Sequence, residues 1–281
     1  GVQTCALPIY GITGNMAFSR MMNRYVEHTD YGTQYLNWRN NSTNRYNDIW
    51  WGYDYAGQFN DLYEIWDAPI MDNLGNSQLK PGDYCYEDWN GDGVIDENDL
   101  HPIKYGAQTS PVLYYGLTLD LSWKGIDLTA VFQGGAFNNV KYDWYLSTPF
   151  IYDKNGPDFF FDRWHMEDAS ADPLDPRTKW VRGYLPTTSQ GSNAMSLNTS
   201  TSAASLHEAS YIRLKSLELG YTLPKKWVQK VNASSVRVFT NAYNLLTCTG
   251  LKYLDPEHPS SGYGTTYPLI CTVNFGVNIK F

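Results

Sequence analysis

The 281-residue sequence predicts an all-β protein built from long antiparallel strands. Three observations predict this fold class: a C-terminal segment in which apolar and polar residues alternate strictly, a mid-chain hairpin with the same pattern, and connections that divide into short turns and long loops. Because strict alternation places every second side chain on one face, the pattern indicates a sheet with an apolar face and a polar face.

The clearest strand is the C-terminal segment 269–281. Apolar residues occupy every second position from Leu269 to Phe281, and polar residues such as Asn274 and Lys280 lie between them. Strands of soluble proteins usually have about 5–6 residues, whereas a strand needs about 9–11 residues to cross a membrane. The length, the alternation and the terminal aromatic residue favour a membrane strand over the last strand of a soluble sandwich.

A mid-chain hairpin repeats this pattern. Apolar residues alternate over 113–123 and again over 126–132, and Lys124-Gly125 between them predicts a tight turn. Asp120 and Asp127 fall on the polar face of this hairpin. In a barrel, that face would be directed toward a wet lumen.

Three less regular patterns complete a set of six strands. In the segment 210–223, Ile212 and Leu214 fall on one face, whereas Leu217 and Leu219 fall on the other. A β-bulge near Lys215 would reconcile the two halves. The six predicted strands are 10–22, 111–123, 126–137, 210–223, 234–246 and 268–281.

The connections differ in length according to the side of the sheet. If the C-terminus is periplasmic, the periplasmic connections are short (124–125 and 224–233) and the external loops are long (23–110, 138–209 and 247–267). This asymmetry is typical of transmembrane β-barrels, as is a girdle of aromatic residues at the strand ends. The aromatic residues near the periplasmic ends are Tyr10, Trp123, Tyr221, Trp227 and Phe281.

The composition agrees with this fold and excludes other classes. Aromatic residues make up 16% of the chain and charged residues only 18%, which suits a protein with both lipid-facing and wet surfaces. A formal net charge of −8 argues against nucleic acid as a partner. The sequence has no apolar run long enough for a transmembrane helix, but membrane strands do not need one.

The start of the chain differs in character from the rest of it. Residues 1–9 do not continue the strand pattern and resemble translated sequencing-adapter sequence. We therefore predict a non-native leader over 1–9 and barrel sequence over 10–281. No signal peptide opens the chain, and we expect it to be the C-terminal part of a longer protein.

An acidic loop has the spacing of a calcium-binding loop. The segment from Asp88 to Asp99 fits D-x-[DN]-x-[DN]-G-x₅-E, except that Asp99 replaces the final Glu. Oxygen ligands at these spacings converge on one ion, and Gly93 permits the sharp bend. We predict one structural Ca²⁺; the alternative is an acidic turn without an ion. The predicted ligands are Asp88, Asn90, Asp92, Val94, Asp96 and Asp99.

The long loops carry many tryptophans and no motif of a catalytic site. Exposed indole rings can stack on sugar rings, but packing within the loops explains each tryptophan at least as well. The sequence has no HExxH, no GxSxG and no P-loop, so we predict that the protein is not an enzyme. The loop tryptophans are Trp38, Trp50, Trp51, Trp66, Trp144, Trp164 and Trp180.

Several stretches together resemble the SusC/RagA family of TonB-linked outer-membrane proteins. The most specific are Arg213-Leu214 followed by 219–224, and the pair Asn244-Leu245. The other stretches are Pro81-Gly82-Asp83, the acidic loop 88–99, the turn 123–128, the segments 209–224 and 236–246, Asp255-Pro-Glu257 and 267–281.

This resemblance implies more than the patterns do. It implies the last six or so strands of a 22-stranded barrel in the outer membrane of Bacteroidetes-type bacteria. It also implies import of oligosaccharides or peptides, energy from a TonB complex contacted through a missing N-terminal region, and a SusD-like lipoprotein partner. Such a chain would contact outer-membrane lipid and would lack the plug.

We therefore expect a partial antiparallel transmembrane β-barrel with long extracellular loops, from a nutrient transporter. The alternative is a soluble, secreted, calcium-bound carbohydrate-binding β-sandwich. The two differ in what covers the apolar strand faces, because a sandwich would pack them against a second sheet and a barrel would expose them to lipid.

Overall fold

The computed structural model describes residues 7–72, 74–106, 110–150, 155–187, 197–228, 232–257 and 266–281. Residues 1–6, which form most of the predicted leader, lie outside this range. Ile9 is already part of the first strand, where it pairs with Ser122. The regular structure therefore begins one residue before the predicted boundary at residue 10.

One antiparallel sheet of six strands dominates the fold. Its strand order follows the chain order, and every neighbouring pair is antiparallel. With strands numbered along the chain, the six are β1 (Ile9–Phe18), β8 (Leu113–Trp123), β9 (Ile126–Ala136), β14 (Tyr211–Thr222), β15 (Ser235–Thr249) and β16 (Thr272–Lys280).

All six predicted strands are thus present, but several of their boundaries differ. The first strand ends at Phe18 rather than at residue 22, because Met22–Asn23 pairs with Arg45–Tyr46 in a separate hairpin. The last strand begins at Thr272 rather than at residue 268, and β15 continues to Thr249. Alternation located the strands correctly, and the flanking residues were recruited by local contacts that alternation does not encode.

The register confirms the two faces. Leu119 lies beside Ile12 and Ala130, whereas Thr118 lies beside Thr13 and Val131. The predicted bulge is also present, since the register of β14 shifts between Leu214 and Ser216 on both sides of the strand. As a result, Leu217, Leu219 and Tyr221, which follow the shift, lie on the same face of the sheet as Ile212 and Leu214, which precede it.

The sheet has a turn end and a loop end. At the turn end, Lys124 and Gly125 have φ angles of 49° and 87°, as a two-residue hairpin turn requires. The helix Lys225–Val228 connects β14 to β15 at the same end. The predicted aromatic girdle lies here: Trp123 pairs with Ile126, which also neighbours Tyr221.

The apolar face of the sheet is uncovered. The exposed fractions are 76% for Tyr10, 71% for Ile12 and 85% for Phe275. The other sheets in the described part of the chain are two-stranded. Among the described helices, none has the length and apolar character needed to cross a bilayer.

Three loops leave the loop end of the sheet: the first loop (19–112), the second loop (137–210) and the third loop (250–271). The first and second loops contain short strands that pair within their own loop. The strands are β2 (Met22–Asn23), β3 (Arg45–Tyr46), β4 (Ile49–Gly52), β5 (Tyr55–Gln58), β6 (Tyr84–Tyr86), β7 (His101–Tyr105), β10 (Asn139–Lys141), β11 (His165–Met166), β12 (Trp180–Val181) and β13 (Leu206–Glu208). The helices are α1 (Gln34–Asn40), α2 (Leu62–Asp67) and α3 (Trp144–Ser147), with 3₁₀ turns at Glu97–Asp99 and Asp158–Phe161.

The first loop has a hydrophobic core of its own. Asp61 caps α2 by accepting hydrogen bonds from the backbone N–H groups of Tyr63 and Glu64, so the helix directs Leu62 and Ile65 inward. A core of this size stabilises a folded unit rather than an open loop. Its buried members are Phe59, Leu62, Ile65, Met71, Leu79, Tyr86 and Ile95.

Candidate functional site

A cavity of about 620 Å³ lies where the three loops meet. The first loop contributes Tyr55 and Tyr84, the second contributes Tyr142 and His207, and the third contributes Tyr253. This volume falls within the range of about 300–1,000 Å³ that small-molecule sites occupy in proteins. The cavity is therefore the best candidate for a ligand site in the described part of the chain.

Aromatic rings pack in pairs around the cavity. The ring centroids of Tyr142 and His207 are 4.1 Å apart, and the stacked rings of Phe159 and Tyr253 are 4.3 Å apart. The second pair joins the second loop to the third. Because rings packed in this way lose little further conformational freedom, they form a rigid apolar surface for a ligand.

The histidine of the first pair is uncharged at neutral pH. Burial lowers the pKa of His207 to about 4, and the nearby ammonium group of Lys104 lowers it further in the same direction. Burial also raises the pKa of Tyr142 to about 12, so its hydroxyl group remains protonated. The Tyr142 hydroxyl donates a hydrogen bond of 2.8 Å to the Lys252 carbonyl oxygen. This stacked pair therefore presents a neutral surface to the cavity.

A buried carboxylate ties two loops together beneath the cavity. Asp83 is fully buried, and its Oδ1 accepts hydrogen bonds from Thr187 Oγ1 at 2.7 Å and from Asn198 Nδ2 at 2.8 Å. Its Oδ2 accepts from the Lys80 backbone N–H at 2.8 Å. Burial is the main influence on the pKa of Asp83 and raises it, while these hydrogen bonds act in the opposite direction. Because Thr187 and Asn198 line the cavity, Asp83 fixes part of its wall.

The glycine before this aspartate permits a close approach of the two loops. Gly82 has a φ of +94°, and a Cβ atom at this position would collide with the Trp164 side chain. Trp164 donates a hydrogen bond from Nε1 to Gln58 Oε1, and Gln58 Nε2 donates to the Gly82 carbonyl oxygen. The Pro81-Gly82-Asp83 motif is therefore one of the points at which the first and second loops join.

A second charged cluster ties the third loop to the sheet. Arg213 is only 2% exposed, and it donates hydrogen bonds to Asp255 Oδ1 at 2.6 Å and to Glu257 Oε2 at 2.8 Å. Lys215 and the Tyr211 hydroxyl also donate to Glu257. The third loop is thus folded back over the polar face of β14. Tyr253, which lines the cavity, lies two residues before this anchor.

The turn end has its own ion cluster on the polar face. Arg237 pairs with Asp127 and, at 2.6 Å, with Glu218. The neighbouring Asp120 accepts a hydrogen bond from Thr129 Oγ1 at 2.8 Å. Both aspartates lie on the polar face, as the sequence predicted. The polar face therefore carries charged clusters at both ends of the sheet.

The acidic loop has the bend that the sequence predicted. Asp88 accepts hydrogen bonds from the backbone N–H groups of Gly91 and Gly93, which lower the pKa of its carboxyl group, the Gly93 bond contributing most. Asp99 is buried, and its two oxygens accept from the Trp89 and Asp96 backbone N–H groups. Among the described residues, no group of three or more His, Cys, Asp or Glu side chains is placed to hold a metal ion. Calcium binding by this loop therefore stays a prediction.

Several loop tryptophans pack within the loops, although Trp66 is 62% exposed, and none of the described ones lines the cavity. Trp38 packs edge-on against Trp51 at 5.2 Å, Trp50 donates to the Gly106 carbonyl oxygen, and Trp164 is buried. The aromatic residues of the cavity are tyrosines and phenylalanines instead. Sequence reasoning missed them because they are distributed over three loops, without a common spacing.

The fold and the site can now be compared with known proteins. No family model matches the chain. It is similar to the TonB-dependent receptor P3 of Formosa agariphila, with 24% identity over 244 residues that cover 82% of this chain and 22% of that receptor. It is also similar to SusC of Bacteroides thetaiotaomicron, a TonB-dependent receptor, with 26% identity over 72% of this chain and 18% of SusC.

Solved structures show the same fold. The RagAB peptide importer in its open-open state matches 98% of this chain and 27% of the solved chain, with a TM-score of 0.61 and 20% identity. A second structure of the RagAB peptide transporter matches 85% of this chain and 23% of its own, with a TM-score of 0.56 and 21% identity. The resemblance to SusC-type TonB-dependent receptors is confirmed.

Some of the segments that carry the resemblance to SusC-type receptors also hold the three loops in place. Pro81-Gly82-Asp83 joins the first two loops, and Arg213 with Asp255 and Glu257 anchors the third. These segments carried the resemblance in the sequence, and the structure gives each of them a structural role beside the cavity. The chain spans about a fifth of the length of the curated relatives that it matches.

Proposed function

We propose that this chain forms part of the wall and the external mouth of a SusC-like, TonB-dependent outer-membrane transporter. The observation that carries the proposal is the division of the molecule into one sheet with an uncovered apolar face and three folded loops that meet at a cavity. In a barrel of about 22 strands, the uncovered face would contact lipid and the unpaired edges of β1 and β16 would pair with further strands.

The proposed substrates are oligosaccharides or peptides. A cavity bordered by tyrosine rings and hydroxyl side chains provides flat apolar surfaces together with hydrogen-bonding groups. A SusD-like lipoprotein would cover the mouth formed by the loops, and energy would come from a TonB complex through regions beyond this chain. The named relatives are receptors, which supports a non-enzymatic role.

A soluble sandwich has less support. That alternative predicts two large sheets packed face to face, with the apolar residues between them. Phe275 and Tyr10 are exposed instead, and the sheets other than the six-stranded one are two-stranded in the part of the chain that the structure describes.

The test uses the complete transporter that contains this region, in a bacterial host with its lipoprotein partner. We expect the protein in the outer-membrane fraction. Uptake of the oligosaccharide or peptide substrate should stop when TonB is removed. Deletion of residues 138–209 should abolish co-purification of the lipoprotein. Recovery of the protein in the soluble fraction would refute the proposal, as would uptake that continues without TonB.

We also propose that the acidic loop binds one calcium ion. No ion pair in the described part of the chain involves Asp88, Asp92, Asp96 or Asp99, so no lysine or arginine neutralises them. Carboxylates of like charge separate when no cation lies between them, so the ion would have to gather the side chains of Asp88, Asn90, Asp92, Asp96 and Asp99 together with the Val94 carbonyl oxygen.

Calorimetry on the complete protein tests the calcium proposal. We expect one binding event per chain, which Asp88→Ala abolishes because it removes the ligand at the first position of the loop. Asp175→Ala, at another acidic loop position, should leave it unchanged. A folded wild-type protein that binds no calcium would rule the site out.

A further inference from the structure

The cavity contains a cation that no described residue neutralises. Lys141 lies on β10, opposite Leu206 of β13, and its side chain lines the cavity and is half-buried. Its Nζ atom donates one hydrogen bond, of 3.3 Å, to Thr201 Oγ1. None of the described ion pairs includes Lys141. An ammonium group has three N–H donors, so Lys141 has capacity for a further acceptor.

The carboxylates that line the same cavity are engaged elsewhere. Asp162 Oδ1 accepts a hydrogen bond from the Tyr184 backbone N–H, and Glu208 Oε1 accepts from Ser210 Oγ at 2.9 Å. Both therefore have partners of their own and lie beyond ion-pair distance of Lys141. Burial lowers the pKa of Lys141, and no neighbouring carboxylate counters this effect. A partly buried cation is costly when it is unpaired and favourable when an anion reaches it.

A buried hydroxyl group beside the cavity also has no partner. Thr148 is 1% exposed, and its Oγ1 makes no hydrogen bond to any described residue. It lines the cavity together with Lys141. Leaving such a group unsatisfied is unfavourable, so an acceptor or donor on a bound molecule is the natural partner.

We propose that this cavity binds a carboxylate-bearing ligand, with the Lys141 ammonium group as the carboxylate contact and the Thr148 hydroxyl group as a second hydrogen-bond donor. The exposed Lys252, which lies 5.8 Å from the centre of the Tyr184 ring at the same cavity, adds a second positive charge. The inference rests on the proposed import function, because it specifies the ligand chemistry of the same cavity. The carboxylate belongs either to a uronic-acid oligosaccharide or to an acidic peptide.

Calorimetry on the complete transporter in detergent tests this inference with four probes. Trigalacturonate and maltotriose form one pair, and N-acetylated, C-amidated triglutamate and trialanine form the other. We expect one acidic probe to bind at least about tenfold more tightly than its neutral counterpart, because a charge-assisted hydrogen bond outweighs a neutral one. The pair that shows this preference identifies the source of the carboxylate.

Lysine variants locate the contact. Lys141→Met should lower the affinity for the acidic probe by about tenfold or more and leave the affinity for neutral probes unchanged. Lys141→Arg should retain most of the affinity for the acidic probe because it keeps the charge. Lys226→Met, an exposed lysine at the turn end of the sheet, is the matched control. Thr148→Val should cause a smaller loss.

Three outcomes would overturn the inference: neutral probes that bind as tightly as acidic ones, an unchanged affinity in Lys141→Met, or no binding of any probe. If the transporter still reaches the outer membrane and still imports with TonB, only the ligand class is wrong. If it does neither, the proposed function itself fails.

Discussion

The six-stranded sheet and the loop assembly are stabilised in different ways. The sheet is regular, its two faces follow from alternation, and its apolar side chains are exposed. The loops are irregular, but they enclose a buried core and two clusters of buried polar groups centred on Asp83 and Arg213. Under the proposed function, the sheet depends on an apolar environment around it, whereas the loops depend on specific partners within the chain.

The largest effect is expected at the anchor of the third loop. Arg213→Met removes the buried cation between Asp255 and Glu257; among the described residues, Asp255 then has no ion-pair partner and Glu257 has only Lys215. We expect the free energy of unfolding, measured by urea titration in micelles, to fall by about 3–5 kcal/mol.

Arg177→Met is the control for this variant, because Arg177 pairs with Asp175 on the surface. It should change stability little, since exposed ion pairs contribute little. Equal stability of the two variants would mean that the Arg213 cluster is not an anchor.

A smaller effect is expected from a charge on the apolar face of the sheet. Leu117 and Thr118 are neighbours in β8 with opposite orientations. Leu117→Arg should destabilise the protein in a bilayer by about 2–4 kcal/mol, because the charge would lie in hydrocarbon. Thr118→Arg, on the polar face, should assemble nearly as well as the wild type. Refolding yield into lipid vesicles measures both, and equal losses in the two variants would contradict a lipid-facing role for Leu117.

The smallest effect is a pH dependence confined to the loops. The pKa of His207 is about 4 in the folded state, below its ordinary value of 6.5, so the unfolded chain binds the proton first as the pH falls. The contribution of His207 to stability is complete above pH 6.5 and is lost as the pH falls from 6.5 toward 4. The hydrogen-exchange protection factors of the second loop, corrected for the intrinsic pH dependence of amide exchange, should therefore fall over this range in the wild type and less so in His207→Gln.

His165→Gln, at an exposed histidine of the same loop, is the control for that measurement. It should preserve the wild-type fall in protection factors between pH 6.5 and 4. If His207→Gln shows the same pH dependence as the wild type, burial beside Lys104 does not hold His207 in its neutral form.

The sequence predicted the sheet well because side chains along a strand alternate between two faces, and this alternation is visible in a single sequence. The bulge at Lys215 followed from the change of face between Leu214 and Leu217, and the aromatic girdle followed from the strand ends. In contrast, nothing in the sequence showed that Arg213 would meet Asp255 and Glu257, although both segments carried the family resemblance. Such contacts depend on how the loops fold back, which no local pattern records.

The cavity was less accessible to prediction than the sheet. Lys141, Thr148 and His207 lie in the second loop with no motif around them, and they acquire their properties from burial by the other loops. Of the tryptophans that the sequence singled out, Trp50, Trp51 and Trp164 pack within the loops instead. Only the acidic loop was recognisable as a site from its spacing, and its bend is present.

The central claim is that one face of the sheet contacts lipid and the other contacts water. Cysteine scanning along β8 tests it most directly, in the complete protein reconstituted in vesicles after the native cysteines have been replaced. The account predicts that a water-soluble thiol reagent labels Thr118→Cys and Asp120→Cys but not Leu117→Cys or Leu119→Cys. Uniform labelling of all four positions, or labelling with the opposite alternation, would contradict it.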